Sequence, residues 1–505
     1  MLELPLPVTH IFLLGIIGTF AWCTWCVAYN LYVHPLSTFP GPRGAAATKL
    51  WLAYMEIYKG ISLHDIRLQM HQRYGDVVRI APNELHFANP QAHKDIYTSK
   101  NKWDKDYNMY RAFDADTASL CIPSYHAAKQ RKDVLSPLFS RTSIVKLQDL
   151  VRDRVDVLCD ALVGQYAQGK FSDLTLGFRC FATDVITSFC YARSFDATSA
   201  PDFDSALVHA SEEVLPMLTL GKHFQVFVWF LRYTPRWLAL RIASPALVAF
   251  FRLRDTLQEQ IVGFMHDPNL LESTPHPIIY HQLLNPDAHK GRPLPSMQSL
   301  LEEAMVLLGA GSDTVSITLA ETVFNVVNSP RVVEMLRSEL RAAWPILDEP
   351  PRYEVLEKLP FLTAVLKEGL RMFPGGPAVP FVVPPEGAVI TGLAIPGGTV
   401  VSQSPTFVQH VDSAFERANE FLPERWLRED AKALESSILV FSRGPRSCLG
   451  INLAYCELYL TLAHLFRRFE LFADPKRPAD FAYREHFIPY FTGEHLHVSC
   501  KPCSL

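Results

Sequence analysis

The sequence predicts a mostly α-helical protein with a smaller β region, built as one large domain behind an N-terminal membrane-spanning helix. Three observations carry this expectation. Most of residues 60–345 falls into long apolar-periodic stretches with Pro and Gly at the joints, the pattern of packed helices. One short stretch, Ile390-Thr391-Gly392-Leu393-Ala394-Ile395-Pro396-Gly397-Gly398-Thr399-Val400, alternates and turns as a small sheet does. No Asp, Glu, Lys or Arg stands between Glu3 and Arg43, and residues 11–29 form a nearly continuous apolar run. As a helix that run rises about 28 Å, enough to cross the hydrocarbon core of a bilayer.

Residues 1–32 are accordingly assigned to an anchor, 33–50 to a neck and 51–505 to the main domain. Trp22, Trp25, Tyr29 and Tyr32 gather at the end of the run, where amphipathic rings favour the membrane interface. A cleaved signal peptide is disfavoured. It would need a basic segment before the run and small residues after it, and Cys, Trp and Tyr stand there instead. Arg43 and Lys49 on the carboxyl side place the main domain in the cytosol. His34-Pro35-Leu36 and Pro40-Gly41-Pro42 make a stiff, non-helical neck.

The 505 residues are 49% hydrophobic and 20% charged, with a net charge of −4, which leaves no electrostatic footprint for nucleic acid. Beyond residue 50 no linker, repeat or charge block divides the chain. Its 10 cysteines are scattered through a long sequence, which is not a disulfide framework. Cys500-Lys501-Pro502-Cys503 has zinc-knuckle spacing, but without a second pair it reads as two free thiols in a tail.

The most specific segment is Phe441-Ser442-Arg443-Gly444-Pro445-Arg446-Ser447-Cys448-Leu449-Gly450, followed by an apolar helical run from Ile451. A cysteine at a helix N-terminus meets unsatisfied N–H groups and the positive end of the dipole, both of which favour thiolate over thiol. Gly444 and Gly450 allow a flat ligand to approach the backbone, and Arg446 is placed to pair with a carboxylate of that ligand. An ordinary buried cysteine is the competing reading, and it leaves the surrounding glycines and arginine unexplained. The spacing F-x-x-G-x-R-x-C-x-G resembles the signature of the cytochrome P-450 superfamily at every fixed position, particularly its fungal microsomal members of secondary metabolism.

Three further segments resemble the family in the same chain order. Ala310-Gly311-Ser312-Asp313-Thr314 lies within a long helical pattern that starts at a capping-box spacing, Ser299 to Glu302, and stops at Ser329-Pro330. Small residues in mid-helix cost stability, about 1 kcal/mol for Gly against Ala, so Ala310 and Gly311 imply that room is needed beside them. The resemblance implies that Thr314 hydrogen-bonds dioxygen or its water and that Asp313 links that place to solvent. Val315 departs from the usual second hydroxyl, with Ser316 following. Glu368-Gly369-Leu370-Arg371 and Phe421-Leu422-Pro423-Glu424-Arg425-Trp426 match the family's E-x-x-R and P-E-R-W elements. They imply an architectural triad of Glu368, Arg371 and Arg425.

The cofactor implied is haem b with Cys448 as the iron ligand, cradled by Phe441, Gly444, Arg446, Gly450, Ala310 and Gly311. Many relatives hold a propionate with an arginine at the position of Phe381, so one partner is missing or supplied elsewhere. On the early helix carrying Lys129, Arg131 and Lys132, counting from Phe139-Ser140 favours Arg131 or Lys132, and counting from His126 favours Lys129; Arg131 ranks first. A solvated face or a docking patch for a redox partner is the other reading of that cluster.

The whole implies a haem-thiolate monooxygenase of the endoplasmic reticulum, single-pass with a cytosolic domain. It would take electrons from an NADPH-dependent flavoprotein reductase and insert one atom of O2 into a hydrophobic small molecule. The segments mapping to substrate contacts, 107–121, 214–229, 305–310, 375–382 and 488–492, are largely apolar, with Phe224, Phe227, Trp229, Phe381 and Phe491 prominent. They imply a neutral terpenoid or other secondary metabolite, with some of that surface resting on membrane lipid. Two alternatives remain: a haem-thiolate isomerase or dehydratase working without a reductase, and a non-catalytic haem sensor.

Overall fold

The computed structural model describes residues 8–373 and 378–503, so residues 375–377 of one expected substrate-contact segment lie outside the described residues. Helix α1 (Val8–Tyr32) contains the apolar run, and no part of its spanning window, within His10–Tyr32, is buried against protein; its mean hydropathy is 2.0. Its length and composition suffice to cross a membrane.

Two compact units follow from the packing: residues 1–96 with 379–403, and residues 97–378 with 404–505. In the first, α2 (Arg43–Ala47) falls inside the expected neck, so only its Pro-rich part is non-helical. Helix α3 (Leu63–Tyr74) lays Ile66 and Met70 on Val78, Ile80 and Ala45. The strand Val77–Ala81 pairs antiparallel with Glu84–Phe87, which pairs parallel with Val400–Ser402. Phe381–Val382 closes the other side of that last strand. The alternation after Ile390 forms the separate hairpin Ala388–Ile390 and Leu393–Ile395. Its two turn residues, Thr391 and Gly392, both have positive φ, which matches the right-handed twist of the strands.

The second unit is helical. Helix α4 (Tyr125–Leu135) carries the early basic cluster, and α5 (Gln148–Ala167) packs on α6 (Leu174–Tyr191). The α6 segment is capped by the Asp173 carboxylate, which accepts from the Leu176 N–H at 3.0 Å, and it is buried almost all round. Such a helix serves as a central rod rather than a surface element. Helices α7 (Ala206–His223), α8 (Gln225–Tyr233) and α9 (Arg236–Ile242) follow. The 31-residue α10 (Met297–Val327) lies along α6 and also touches α11 (Pro360–Met372) and α12 (Ile451–Arg468).

Three expectations change. The cap of α10 is Ser296, whose hydroxyl accepts from the Ser299 N–H at 3.2 Å; Ser299 is inside the helix and its hydroxyl serves Arg131 instead. The C-terminal cysteines are not in a loose tail. His497–Pro502 is a strand paired with Phe469–Ala473, which buries Cys500, and no described cysteine forms a disulfide. Trp229, 64% exposed, points outward on α8, with Val226, Phe230 and Tyr233 also exposed and Trp237 and Ile242 exposed on α9.

Gly369 on α11 faces α10 so closely that a Cβ there would overlap the Thr322 hydroxyl. In an open helix Gly→Ala stabilises by about 1 kcal/mol. Here overpacking reverses the sign, and Gly369→Ala should lower stability by about 1–3 kcal/mol in urea unfolding. A more stable variant would show that α10 and α11 do not pack this tightly.

Candidate functional site

Cys448 lies in the loop before α12. Helix α12 begins at Ile451 behind Gly450, so the thiol stands three residues ahead of the helix rather than at its first turn. The loop is shaped by its own backbone. The Cys448 N–H donates to the Phe441 carbonyl at 2.8 Å, and Ser442 and Gly444 take left-handed φ of 53° and 71°. A side chain on Gly444 would also meet the Thr98 carbonyl, so this glycine serves the loop's fit against residues 98–99. By contrast, Gly450 has open space where a Cβ would stand. The Phe441 ring packs on Tyr455, 5.4 Å between centroids.

The electrostatics of the thiol differ from the sequence-based expectation. Burial pushes the Cys448 pKa up; the Gly450 N–H and the nearby Lys132 ammonium only partly oppose it. The loop alone therefore does not make a stable thiolate, and a bound metal cation would have to supply the balance. Cys448 is nevertheless solvent-exposed. The thiol is thus accessible although its surroundings penalise its charge. Ala310 on α10 is also exposed although the helix around it is mostly buried, and Gly309 beside it has open space. Gly311 differs: its missing Cβ would strike Ile186, so it permits the approach of α6 rather than of a ligand.

Thr314 is part-buried, and its hydroxyl donates to the Ala310 carbonyl at 2.8 Å, leaving its oxygen lone pairs to accept. Asp313 is buried on another face of α10. One carboxylate oxygen lies 3.3 Å from the Arg179 guanidinium and 3.5 Å from the Ser211 hydroxyl. Burial raises its pKa; Arg179 pulls it down and Glu212 pushes it up. Arg179 also holds Glu212 at 2.5 Å, Glu212 meets His209 at 3.1 Å, and His209 meets the exposed Asp204 at 2.7 Å. A polar path thus leads from Asp313 to the surface through residues the sequence did not single out. Val315 is core, and Ser316 is buried with its hydroxyl on the Asp313 carbonyl, so neither adds a second hydroxyl beside Thr314.

The basic cluster sorts itself by partner. Lys129 is exposed and paired with Asp133. Arg131, ranked first, is engaged with α10: it donates to the Ser299 hydroxyl at 2.5 Å and sits 3.7 Å from Glu303, with Nη1 left unpartnered. Lys132 reaches the cysteine loop, donating to the Ser447 carbonyl at 2.5 Å, the Ser447 hydroxyl at 3.2 Å and the Pro445 carbonyl at 3.4 Å. Of these two residues it is Lys132, and not Arg131, that contacts the cysteine loop. Arg446 donates to the Pro123 carbonyl at 2.5 Å, while its buried Nε has no partner.

Glu368, Arg371 and Arg425 meet in the fully buried interior. Arg371 grips the carboxylate with two N–H groups at 2.8 and 2.9 Å, and Arg425 Nε donates at 3.2 Å. The Trp426 indole N–H at 2.8 Å and the Leu422 N–H at 2.9 Å complete it. The remaining guanidinium donors bind backbone carbonyls: Gln409, Ala418 and Glu420 for Arg371, Glu416 and Arg417 for Arg425.

Residues 42–488 match the family described as Cytochrome P450. The chain is 32% identical to cytochrome P450 monooxygenase flvC of Aspergillus flavus, over 96% of this chain and 95% of that protein. It is 34% identical to cytochrome P450 monooxygenase macH of Penicillium terrestre, over 95% of each, and 32% identical to tryptophan 6-hydroxylase fscE of Fusarium equiseti, over 87% and 86%. The chain belongs to the cytochrome P450 family. It is an enzyme of the monooxygenase class, which uses a haem-thiolate cofactor, O2, a small-molecule substrate and a redox partner. The residues present fit such a group: an accessible thiol whose charge its surroundings penalise, open space at Gly450, and the Arg446 guanidinium with a buried, unpartnered Nε.

Breaking the buried triad is costly because it leaves charges unpaired. Glu368→Gln keeps the shape but strands two guanidiniums, and should cost about 3–5 kcal/mol and most of the haem-loaded protein. Urea unfolding and the haem absorbance per polypeptide check it, and normal loading with unchanged stability would refute the arrangement.

Proposed function

We propose that this chain is a membrane-anchored haem-thiolate monooxygenase in which Cys448 ligates the iron of haem b. The observation that carries the reading is the thiol itself, accessible and placed in a loop whose fixed residues are those of the family. Bound haem supplies the iron at which dioxygen is activated. Cys448 donates its sulfur lone pair to that iron. Arg446, buried with its Nε unpartnered, neutralises a haem carboxylate, and Lys132 holds the loop through Ser447 and Pro445.

The protein's part in the chemistry is to move protons and keep out bulk water. Thr314, with its own hydrogen committed to Ala310, accepts a hydrogen bond from a water at the exposed stretch of α10. Asp313 passes protons inward from the surface by way of Ser211, Glu212 and His209, with Arg179 holding its carboxylate in place. Its raised pKa makes it a better donor near neutral pH than an exposed aspartate.

The α1 helix tethers the enzyme to the endoplasmic reticulum with its domain in the cytosol, where an NADPH-dependent flavoprotein reductase supplies two electrons. The exposed apolar faces of α8 and α9 support contact with lipid. The substrate is a hydrophobic small molecule, a terpenoid or other fungal secondary metabolite. The reaction is insertion of one oxygen atom into a C–H bond, the kind of change for which the Fusarium equiseti relative is named. An isomerase or dehydratase working without a reductase would have no use for the polar path at Asp313.

Thr314→Ala tests the proton role. The variant should keep its haem spectrum and its NADPH consumption, while product per NADPH falls severalfold and hydrogen peroxide rises to match. Unchanged coupling would remove Thr314 from the mechanism.

A further inference from the structure

Three cations gather around the cysteine loop, and their donors are used unequally. Lys132 spends all three on Ser447 and Pro445. Lys105, on the short strand Asp104–Lys105, has its ammonium buried, donating to the Leu120 carbonyl at 2.7 Å and lying 4.2 Å from the centre of the Tyr110 ring. Its backbone N–H donates at 3.0 Å to the Pro123 carbonyl, the same oxygen that receives the Arg446 guanidinium at 2.5 Å. Lys105 and Arg446 are therefore fixed side by side through one acceptor.

Among the described residues none of these three cations is paired with a carboxylate. The carboxylate that acts on Arg446, Asp104, has one oxygen occupied by the Tyr125 N–H at 2.7 Å. Burial, with repulsion from Arg446 and Lys132, pushes the Lys105 pKa down to about 7. Cys121 beside it is pushed up to about 12 by burial and stays a neutral thiol. The buried Tyr110 hydroxyl has no partner, nor has Arg446 Nε. Buried cations without a counter-charge, next to unpartnered donors, are a large penalty unless an anion arrives to complete them.

We infer that Lys105, with the Tyr110 hydroxyl, is the second carboxylate-binding position of the haem cradle, supplying the cation that the chain lacks at Phe381. Arg446 takes one propionate and Lys105 the other, and Tyr110 donates a further hydrogen bond. This assignment rests on the haem-binding reading and adds to it which residues hold the cofactor's charged edge. Neither Lys105 nor Tyr110 belongs to any motif; Lys105 lies on a two-residue strand and Tyr110 ends the short helix Tyr107–Tyr110, both ahead of α4.

The test compares haem loss to excess apomyoglobin at pH 7 for wild type, Lys105→Met and Lys105→Arg, each loaded with haem or with haem dimethyl ester. A hydrogen bond to a charged group contributes enough that Lys105→Met should lose haem about tenfold faster, with Lys105→Arg near wild type. Wild type should lose the diester faster than haem, and in Lys105→Met that gap should shrink by about tenfold, which a merely structural lysine would not cause. Equal haem loss from wild type and Lys105→Met, or an undiminished ester gap in the variant, overturns the assignment. Should Lys105→Met not accumulate as folded protein, Lys105→Gln, which retains a donor for the Leu120 carbonyl, takes its place with the same expectations. Failure of the haem reading would look different, since every variant including wild type would be colourless.

Discussion

The buried Glu368 carboxylate is the interaction on which the rest depends. Five N–H groups converge on its two oxygens, two from Arg371 and one each from Arg425, Trp426 and Leu422. A carboxylate and two guanidiniums are expensive to bury, and the arrangement is tolerable only because every donor ends on an acceptor. From there the order passes along the backbone. The Gln409 side chain donates to the Arg371 carbonyl at 2.8 Å and accepts the Leu439 N–H at 2.6 Å. The Leu439 carbonyl accepts from Ser442, and the Phe441 carbonyl from Cys448, both at 2.8 Å. The ion cluster at Glu368 is thus linked by hydrogen bonds to the loop that carries the sulfur, although it does not touch the sulfur itself.

The same unit sets a second constraint from the other side. Helix α10 bears on α6 and α11 so closely that Gly311 and Gly369 leave no room for a methyl group. That contact presents Ala310 and Thr314 at a fixed height while keeping Asp313 on the polar path to the surface. The weakness of a mid-helix glycine is thereby traded for position.

The architecture was legible in the sequence wherever pattern or fixed spacing spoke. The helical middle, the small hairpin after Ile390, the Pro360–Met372 helix and the apolar N-terminal run all follow from periodicity and turn residues. The meeting of Glu368 with Arg371 and Arg425 was expected from the family resemblance, because those motifs have fixed spacing. What stayed hidden depended on contacts between distant residues. Gly311 looked like space for a ligand and serves helix packing. Ser299 looked like a cap, and the true cap is Ser296. Arg131 and Lys132 differ by one position, hence by about 100° around a helix, and only the fold decides which reaches Ser447. Lys105 carried no signal at all, since a single lysine outside any motif reads as solvated until its burial is known.

The most direct measurement is X-ray absorption at the iron edge of the purified full-length protein, beside a Cys448→Ser variant. The account predicts one sulfur among the iron's nearest neighbours in the wild type, and its loss in the variant. An iron shell of nitrogen alone in the wild type, or a sulfur that survives the substitution, would contradict it.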